Sequence, residues 1–268
     1  MENKVPVSVI LPIKSSKVRD FDDYFNKAIQ SIIDQSVGIE ELVIVHTQEE
    51  SLTDFISGFD FGNLNVKKLI WDKSPNYCDQ VNYGIQNAQS EWVSLFEFDD
   101  EYSKIWFKNV KKYIEYFPSV DMFLPVVVDT NEKGVFVGFT NEATFAANFS
   151  PEVGFLTNET LHNYQNFQTA GSVFRKKIVE DFGGFKSSMK LTFIYEFLLR
   201  MTYNSATIMT IPKLGYKHMN LREGSIFWNY KNGDEVMVDD EVKFWIQTAK
   251  KEYFFNNDRQ INYSQETA

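Results

Sequence analysis

Four short runs of strand character, residues 7–13, 42–45, 66–71 and 92–98, alternate with three stretches of helical spacing, 21–35, 76–88 and 105–116. Such alternation admits few folds. A strand, a helix and a second strand of the same sheet close as a right-handed crossover, which gives a mainly parallel sheet flanked by helices. The first run, Val7-Ser8-Val9-Ile10-Leu11-Pro12-Ile13, is almost wholly apolar, as expected of a strand covered on both faces. In an open sheet of this kind, ligands sit beyond the carboxyl ends of the strands. The informative residues are therefore expected just after Ile13, Val45, Trp71 and Leu95.

After about residue 120 the rhythm changes to mixed strands and loops. Residues 122–128 read as a strand and 134–139 as its return arm, through Asn131-Glu132-Lys133-Gly134. A polar loop is expected over 148–168, strands over 171–174 and 207–211, and a helix over 191–203. Residues 239–255 read as a helix with acids at its start and Lys250-Lys251 toward its end, which complements the helix dipole. No internal repeat and no linker rich in Pro, Gly or Ser separates the halves. Residues 1–230 are expected to form one domain, with 231–268 as a helical extension packed on it.

Composition excludes several classes. The chain has 37 acidic and 27 basic side chains and a net charge of −10, so it lacks the electrostatic footprint of a nucleic-acid-binding protein. An anionic ligand would need a local solution such as a metal ion. Aromatics make up 16% of residues, which implies a well-filled core. The single cysteine, Cys78, excludes an internal disulfide or a multi-cysteine zinc site and suits a reducing compartment. No signal peptide and no apolar stretch of about 18 residues is evident, so no membrane span and a cytoplasmic location are expected. Asn-x-Ser/Thr triplets at Asn148, Asn158 and Asn262 read as chance occurrences.

The sharpest feature is Phe96-Glu97-Phe98-Asp99-Asp100-Glu101, with four carboxylates in five residues directly after an inner strand. In an extended chain Glu97, Asp99 and Glu101 point one way and Asp100 the other. One carboxylate can then hold a hard divalent cation while its neighbours organise substrate and water. The plainer alternative is an acidic turn capping the helix from Ser103, but the strand-end position favours a site. Trp106, Phe107, Tyr113 and Phe117 lie at near-helical spacing and read as core.

The order of segments resembles family 2 glycosyltransferases of the GT-A fold over residues 5–225. Val7-Ser8-Val9-Ile10-Leu11-Pro12 is similar to the family's opening strand, and Ala28-Ile29-Gln30-Ser31-Ile32-Ile33-Asp34-Gln35 to the helix that follows. Asn82-Tyr83-Gly84-Ile85-Gln86-Asn87-Ala88 resembles its Asn-x-Gly-Ile-x-x-Ala segment, and Glu97-Phe98-Asp99-Asp100 its Asp-x-Asp-Asp motif. Phe182-Gly183-Gly184-Phe185 and Tyr195-Glu196-Phe197-Leu198-Leu199-Arg200 match the second half. The resemblance implies sugar transfer, with inversion, from a UDP- or GDP-linked donor to a glycan, lipid or other hydroxyl acceptor. It also implies a divalent cation, Mn²⁺ or Mg²⁺. On this reading Pro12, Lys14, Ser15, His46, Asp79, Asn82, Glu97 and Arg222 face the donor. Asp99 and His218 hold the metal, and the catalytic carboxylate is Glu196 or Asp100.

Two departures stand out. The family's acidic run after the second strand is here Val45-His46-Thr47-Gln48, which keeps hydrogen-bonding capacity but loses charge. The family's Glu-Asp pair, which supplies the general base, falls on Phe193-Ile194, where neither side chain accepts a proton. Glu196 lies about 200° around a helix from Ile194 and equally suits pairing with Arg200 at i+4. These departures keep open a catalytically degenerate GT-A domain that binds sugar, nucleotide or partner protein without turnover. A nucleotidyltransferase would want a glycine-rich loop after the first strand, and Lys14-Ser15-Ser16-Lys17 contains no glycine.

Overall fold

A computed structural model of the chain describes residues 4–142 and 154–261. The triplets at Asn148 and Asn262 and the start of the expected loop 148–168 lie outside the described residues. Strands β1 (Lys4–Ile13), β2 (Gly38–Thr47), β3 (Val66–Trp71) and β4 (Trp92–Leu95) alternate with helices α1 (Phe21–Ile33), α2 (Glu50–Gly58) and α3 (Tyr77–Asn87). Then come β5 (Glu101–Tyr102), α4 (Trp106–Tyr116) and the hairpin of β6 (Met122–Thr130) and β7 (Phe136–Thr140). The remainder holds β8 (Phe155–Leu156), α5 (Asn158–Asn163), β9 (Val173–Arg175), α6 (Lys176–Phe182) and a 3₁₀ segment (Ser187–Thr192). It ends with α7 (Phe193–Tyr203), β10 (Ile208–Met219), α8 (Ile226–Asn232) and α9 (Asp239–Glu252).

The sheet order is β3-β2-β1-β4-β9-β6-β10-β5, with β7 beside β6 and β8 beside β10. Strands β3, β2, β1 and β4 are parallel. Because β9 is antiparallel to both β4 and β6, β6 runs in the direction of β4, and β10 is parallel to β6. The carboxyl ends of β1, β2, β4, β6 and β10 therefore open on one edge, which joins the end of β4 to the end of β10.

Alternate residues of the inner strands feed two cores. Val7, Val9 and Leu11 of β1 and Leu42 and Ile44 of β2 pack with α1 and α4 on one face. Ile10 of β1 and Val43 and Val45 of β2 pack with α3, α7 and α9 on the other. Burial on both faces is why these segments read as unbroken apolar runs. Trp106 and Phe107 are core, as expected, whereas Phe117 is exposed. The C-terminal helix α9 seats Trp245 and Ala249 in the second core, and the buried Lys186 ammonium donates to the carbonyls of Glu252 and Phe255 at 2.8 and 2.7 Å.

Helix α2 was not expected, and three further stretches differ from expectation. Strand β4 stops at Leu95, short of residue 98, because the chain turns: the Asp100 N–H donates to the Glu97 carbonyl at 3.2 Å. Strand β10 runs to Met219, past the expected 211, by carrying register shifts between Ile211 and Tyr216. The stretch 148–168, expected as loop, contains β8 and α5.

Helix α3 lies close on the sheet because Gly84 has no side chain. A Cβ there would stand 2.5 Å from Ile10 Cγ2 and 3.1 Å from Val45 Cγ2, both wholly buried. Overpacking of such a site costs about 1–3 kcal/mol. Gly84→Ala is expected to lower the free energy of unfolding by that amount, read as a lower urea midpoint at an unchanged m-value, and an unaltered midpoint would show that the helix can lift freely.

Candidate active site

The acidic run after β4 is a turn, not the extended segment expected, and the turn sorts its four carboxylates. Strand β10 and the loop after it answer three of them. Lys217 reaches Glu101 at 2.7 Å. Asp100, 1% exposed, accepts from the Met219 N–H at 2.8 Å and pairs with His218 Nδ1 at 3.0 Å. Arg222 Nε binds Asp99, and its guanidinium lies over the Phe98 ring. The two-residue pairing of β5 with Tyr216 and Lys217 sets this register, and the Glu97 N–H donates to the Tyr216 hydroxyl at 3.1 Å.

Glu97 is left without a hydrogen bond to its carboxylate among the described residues. One ligand atom each from Glu97, Asp100 and His218 lie within 4.8 Å of one another. Asp99, expected among the metal ligands, is turned instead to Arg222. Burial, then the Asp100 charge, pushes Glu97 up to about 8. Burial alone would lower His218, but Asp100, Glu97 and Asp99 together raise it to about 10. Asp99 is raised, first by burial and then by Asp100, against the pull of Arg222. Negative charge is thus concentrated where little water reaches, a setting that a cation relieves.

Two cavities meet at this turn. One, of about 390 Å³, is lined by Pro12, Lys14, Asn76, Tyr77, Lys190 and Arg222, among others. The other, of about 360 Å³, is lined by Asp129, Thr140, Gln168, Ile194, His218 and Phe227, among others. Tyr77, Glu97, Asp99 and Phe193 belong to both. Beyond Lys14 and Pro75 the first continues into a cleft of about 340 Å³ lined by Thr47, Gln48, Glu49, Trp71 and Asp72.

Of the residues expected at the donor, the structure brings Pro12, Lys14, Glu97 and Arg222 to the first cavity. Four others serve elsewhere. His46 is 3% exposed, its ring against its neighbour's carbonyl, and only Thr47 and Gln48 of that segment reach the cleft. Ser15 donates to Glu49 at 2.8 Å and so positions an acid that the sequence did not single out. Asp79 sits in the first turn of α3 and lines neither cavity; burial and the Asp258 charge raise its carboxyl. Asn82 clamps the Phe185 backbone through two 2.8 Å bonds, tying α3 to the Gly183-Gly184 turn, where Gly183 has φ 85°.

Glu196 is not placed to serve as a base. It is 0% exposed and bound by Arg200 at 2.8 Å and by the buried Lys186 at 2.8 Å. Arg200 also holds the carbonyls of Gly183 and Gly184 at 2.7 Å. Asp100, the other catalytic candidate, is enclosed behind His218 and lines neither cavity. The residues that sequence reasoning missed are Tyr77, Asp129 and Thr140, none of which lies in a dense motif.

The architecture is that of the GT-A fold, a parallel sheet whose carboxyl edge carries an acidic turn between two cavities. No family model matches the chain. Similar solved structures include Staphylococcus aureus TarS 1–349 in complex with UDP, with a TM-score of 0.58 at 18% identity, covering 82% of this chain and 60% of that one. The same fragment with UDP-GlcNAc gives 0.60 at 18% identity, covering 85% and 61%. Among curated proteins, the minor teichoic acid biosynthesis protein GgaB of Bacillus subtilis (strain 168) is 26% identical over 112 residues, 40% of this chain and 12% of GgaB. The chain thus spans about an eighth of GgaB and three fifths of TarS 1–349. Among the described residues no helix is long and apolar enough to cross a membrane.

Removing one member of a buried ionic cluster leaves the others uncompensated, at a cost of about 3–5 kcal/mol. Glu196→Gln is expected to lower stability to chemical denaturation by that order. A variant that loses only turnover and keeps its unfolding midpoint would return Glu196 to the list of bases.

Proposed function

We propose that this chain is a glycosyltransferase that moves a sugar from a nucleoside-diphosphate donor, UDP-linked in the first instance, to a hydroxyl acceptor with inversion. The observation that carries this reading is the acidic turn standing as the shared wall of two cavities, since donor and acceptor must meet at one carbon. The UDP and UDP-GlcNAc complexes of TarS support the donor class, and the name of GgaB, a minor teichoic acid biosynthesis protein, supports a role in assembling a polymer of that kind.

Two carboxylates and an imidazole of Glu97, Asp100 and His218 suit Mn²⁺ or Mg²⁺. When bound, the cation supplies positive charge against a departing diphosphate. Lys14, Lys190 and Arg222 line the donor cavity and supply further positive charge; a guanidinium can bind a diphosphate through two parallel hydrogen bonds. Thr47, Gln48 and Asp72 offer hydrogen-bonding groups, and Trp71 a ring, to the nucleoside. Tyr77 and Phe193 line both cavities and present aromatic rings where the two meet.

Ile194 favours a second reading, a domain that binds without turnover, because an apolar side chain lines the acceptor cavity where the family carries an acid. Calorimetry separates the two. UDP is expected to bind in the presence of Mn²⁺ and to weaken by at least about tenfold in EDTA or in His218→Ala, the scale on which even outer-shell metal partners act. Binding without release of UDP from any UDP-sugar would assign the second reading, and no binding of UDP or GDP under either condition would overturn both.

A further inference from the structure

Three carboxylates line the acceptor cavity: Glu97, Asp99 and Asp129. Asp99 is held by Arg222, and Glu97 belongs with Asp100 and His218. Asp129 is bonded to none of these. Its Oδ2 accepts from Thr140 Oγ1 at 2.6 Å, and its Oδ1 accepts from Gln168 Nε2 at 3.4 Å. A carboxylate has about four lone-pair sites, so each oxygen can accept a further bond from a ligand in the cavity.

The two donors are themselves fixed. Asn141, wholly buried, donates to the carbonyls of Pro125 and Gln168 at 3.0 Å and accepts from the Gln168 N–H at 3.0 Å. It follows Thr140 in the chain, so its side chain ties the backbone segments that carry both groups bonded to Asp129. Asp129 also stands in register with His218 across β6 and β10. Residues in register project from the same face of a sheet, about 4.8 Å apart. Asp129 is therefore one strand spacing from His218, one of the proposed cation ligands, and lines the acceptor cavity.

We propose that Asp129 is the general base of the transfer, in place of the carboxylate that Ile194 lacks; this rests on the transferase reading above. The acceptor hydroxyl gives its proton to Asp129 as its oxygen bonds to the anomeric carbon. The bond from that carbon to the β-phosphate oxygen breaks, and its electron pair leaves with the nucleoside diphosphate. Asp129 then returns the proton to water. Nothing else that lines the cavity combines a free acceptor lone pair on a carboxylate with independence from the acidic turn.

The test is UDP release from UDP-GlcNAc and UDP-glucose by the full chain, with water or added polyol as acceptor, beside calorimetric UDP binding with Mn²⁺. Asp129→Asn is expected to cut release by about 10²–10⁴-fold, the usual contribution of general base catalysis, with the UDP Kd within about twofold of wild type. Thr140→Val, which removes only the orienting bond, is expected to retain UDP affinity and lose release to a smaller degree, which guards against misfolding of the first variant. Release by Asp129→Asn within about threefold of wild type overturns the base but leaves the transferase standing. Wild-type protein that binds UDP yet releases none from either donor overturns the base and the transferase together.

Discussion

Four carboxylates share one turn, and the fold depends on how their mutual repulsion is met. Two unit charges about 4 Å apart interact by about 4 kcal/mol at an effective dielectric of 20, so an unanswered cluster would push the turn open. The answer comes from a single stretch of chain. Lys217, the His218 ring, the Met219 N–H and Arg222 meet Glu101, Asp100 and Asp99 in order along β10 and the loop after it. This accounts for a strand of 12 residues with irregular register, long enough to run past the core and reach the acids. It also accounts for the short antiparallel β9, which reverses direction between β4 and β6 and so lets β10 end on the same edge as β4.

The sheet was legible because its physics is local. Strands buried on both faces need continuous apolar residues, and β1 and β2 have them; the helix stripes of α1, α3 and α4 follow from what those strands must be covered by. Helix α2 was missed because its nine residues bury only Leu52 and Ile56, too few to mark a period. The turn at Glu97 was misread as extended for a different reason. An alternating count of side chains assumes strand geometry, and the counter-charges that favour a turn are more than 100 residues away in sequence.

Motif residues were easier to find than to assign. Asn82, Gly84, Gly183 and Arg200 were all singled out, and they form one mechanical unit. Gly84 lets α3 lie on β1, Asn82 clamps Phe185, and Arg200 with Glu196 gathers the carbonyls of the Gly183-Gly184 turn. These residues hold the cavity wall without facing the cavity. A sequence pattern records that positions belong together, but it does not distinguish a group aimed at a ligand from one aimed at the backbone. His46 and Ser15 show the same limit, since strand-end position alone does not say which way a side chain turns.

The site also illustrates how a missing acid on a helix can be compatible with chemistry at the same cavity. Ile194 on α7 and Asp129 on β6 line one space. That space already holds Glu97, Asp99 and Asp129, and a further carboxylate on the helix would add to their repulsion. A carboxylate on β6 differs in two respects. It has its own hydrogen-bond donors in Thr140 and Gln168, and its backbone is fixed by ladder bonds to β10 on one side and to β7 on the other. A helix can slide or tilt relative to the sheet by an ångström or more without losing its own hydrogen bonds, whereas a residue in register with His218 moves only with it. A place on the sheet therefore ties the position of Asp129 to the acidic turn through β10, the same strand that holds the turn closed.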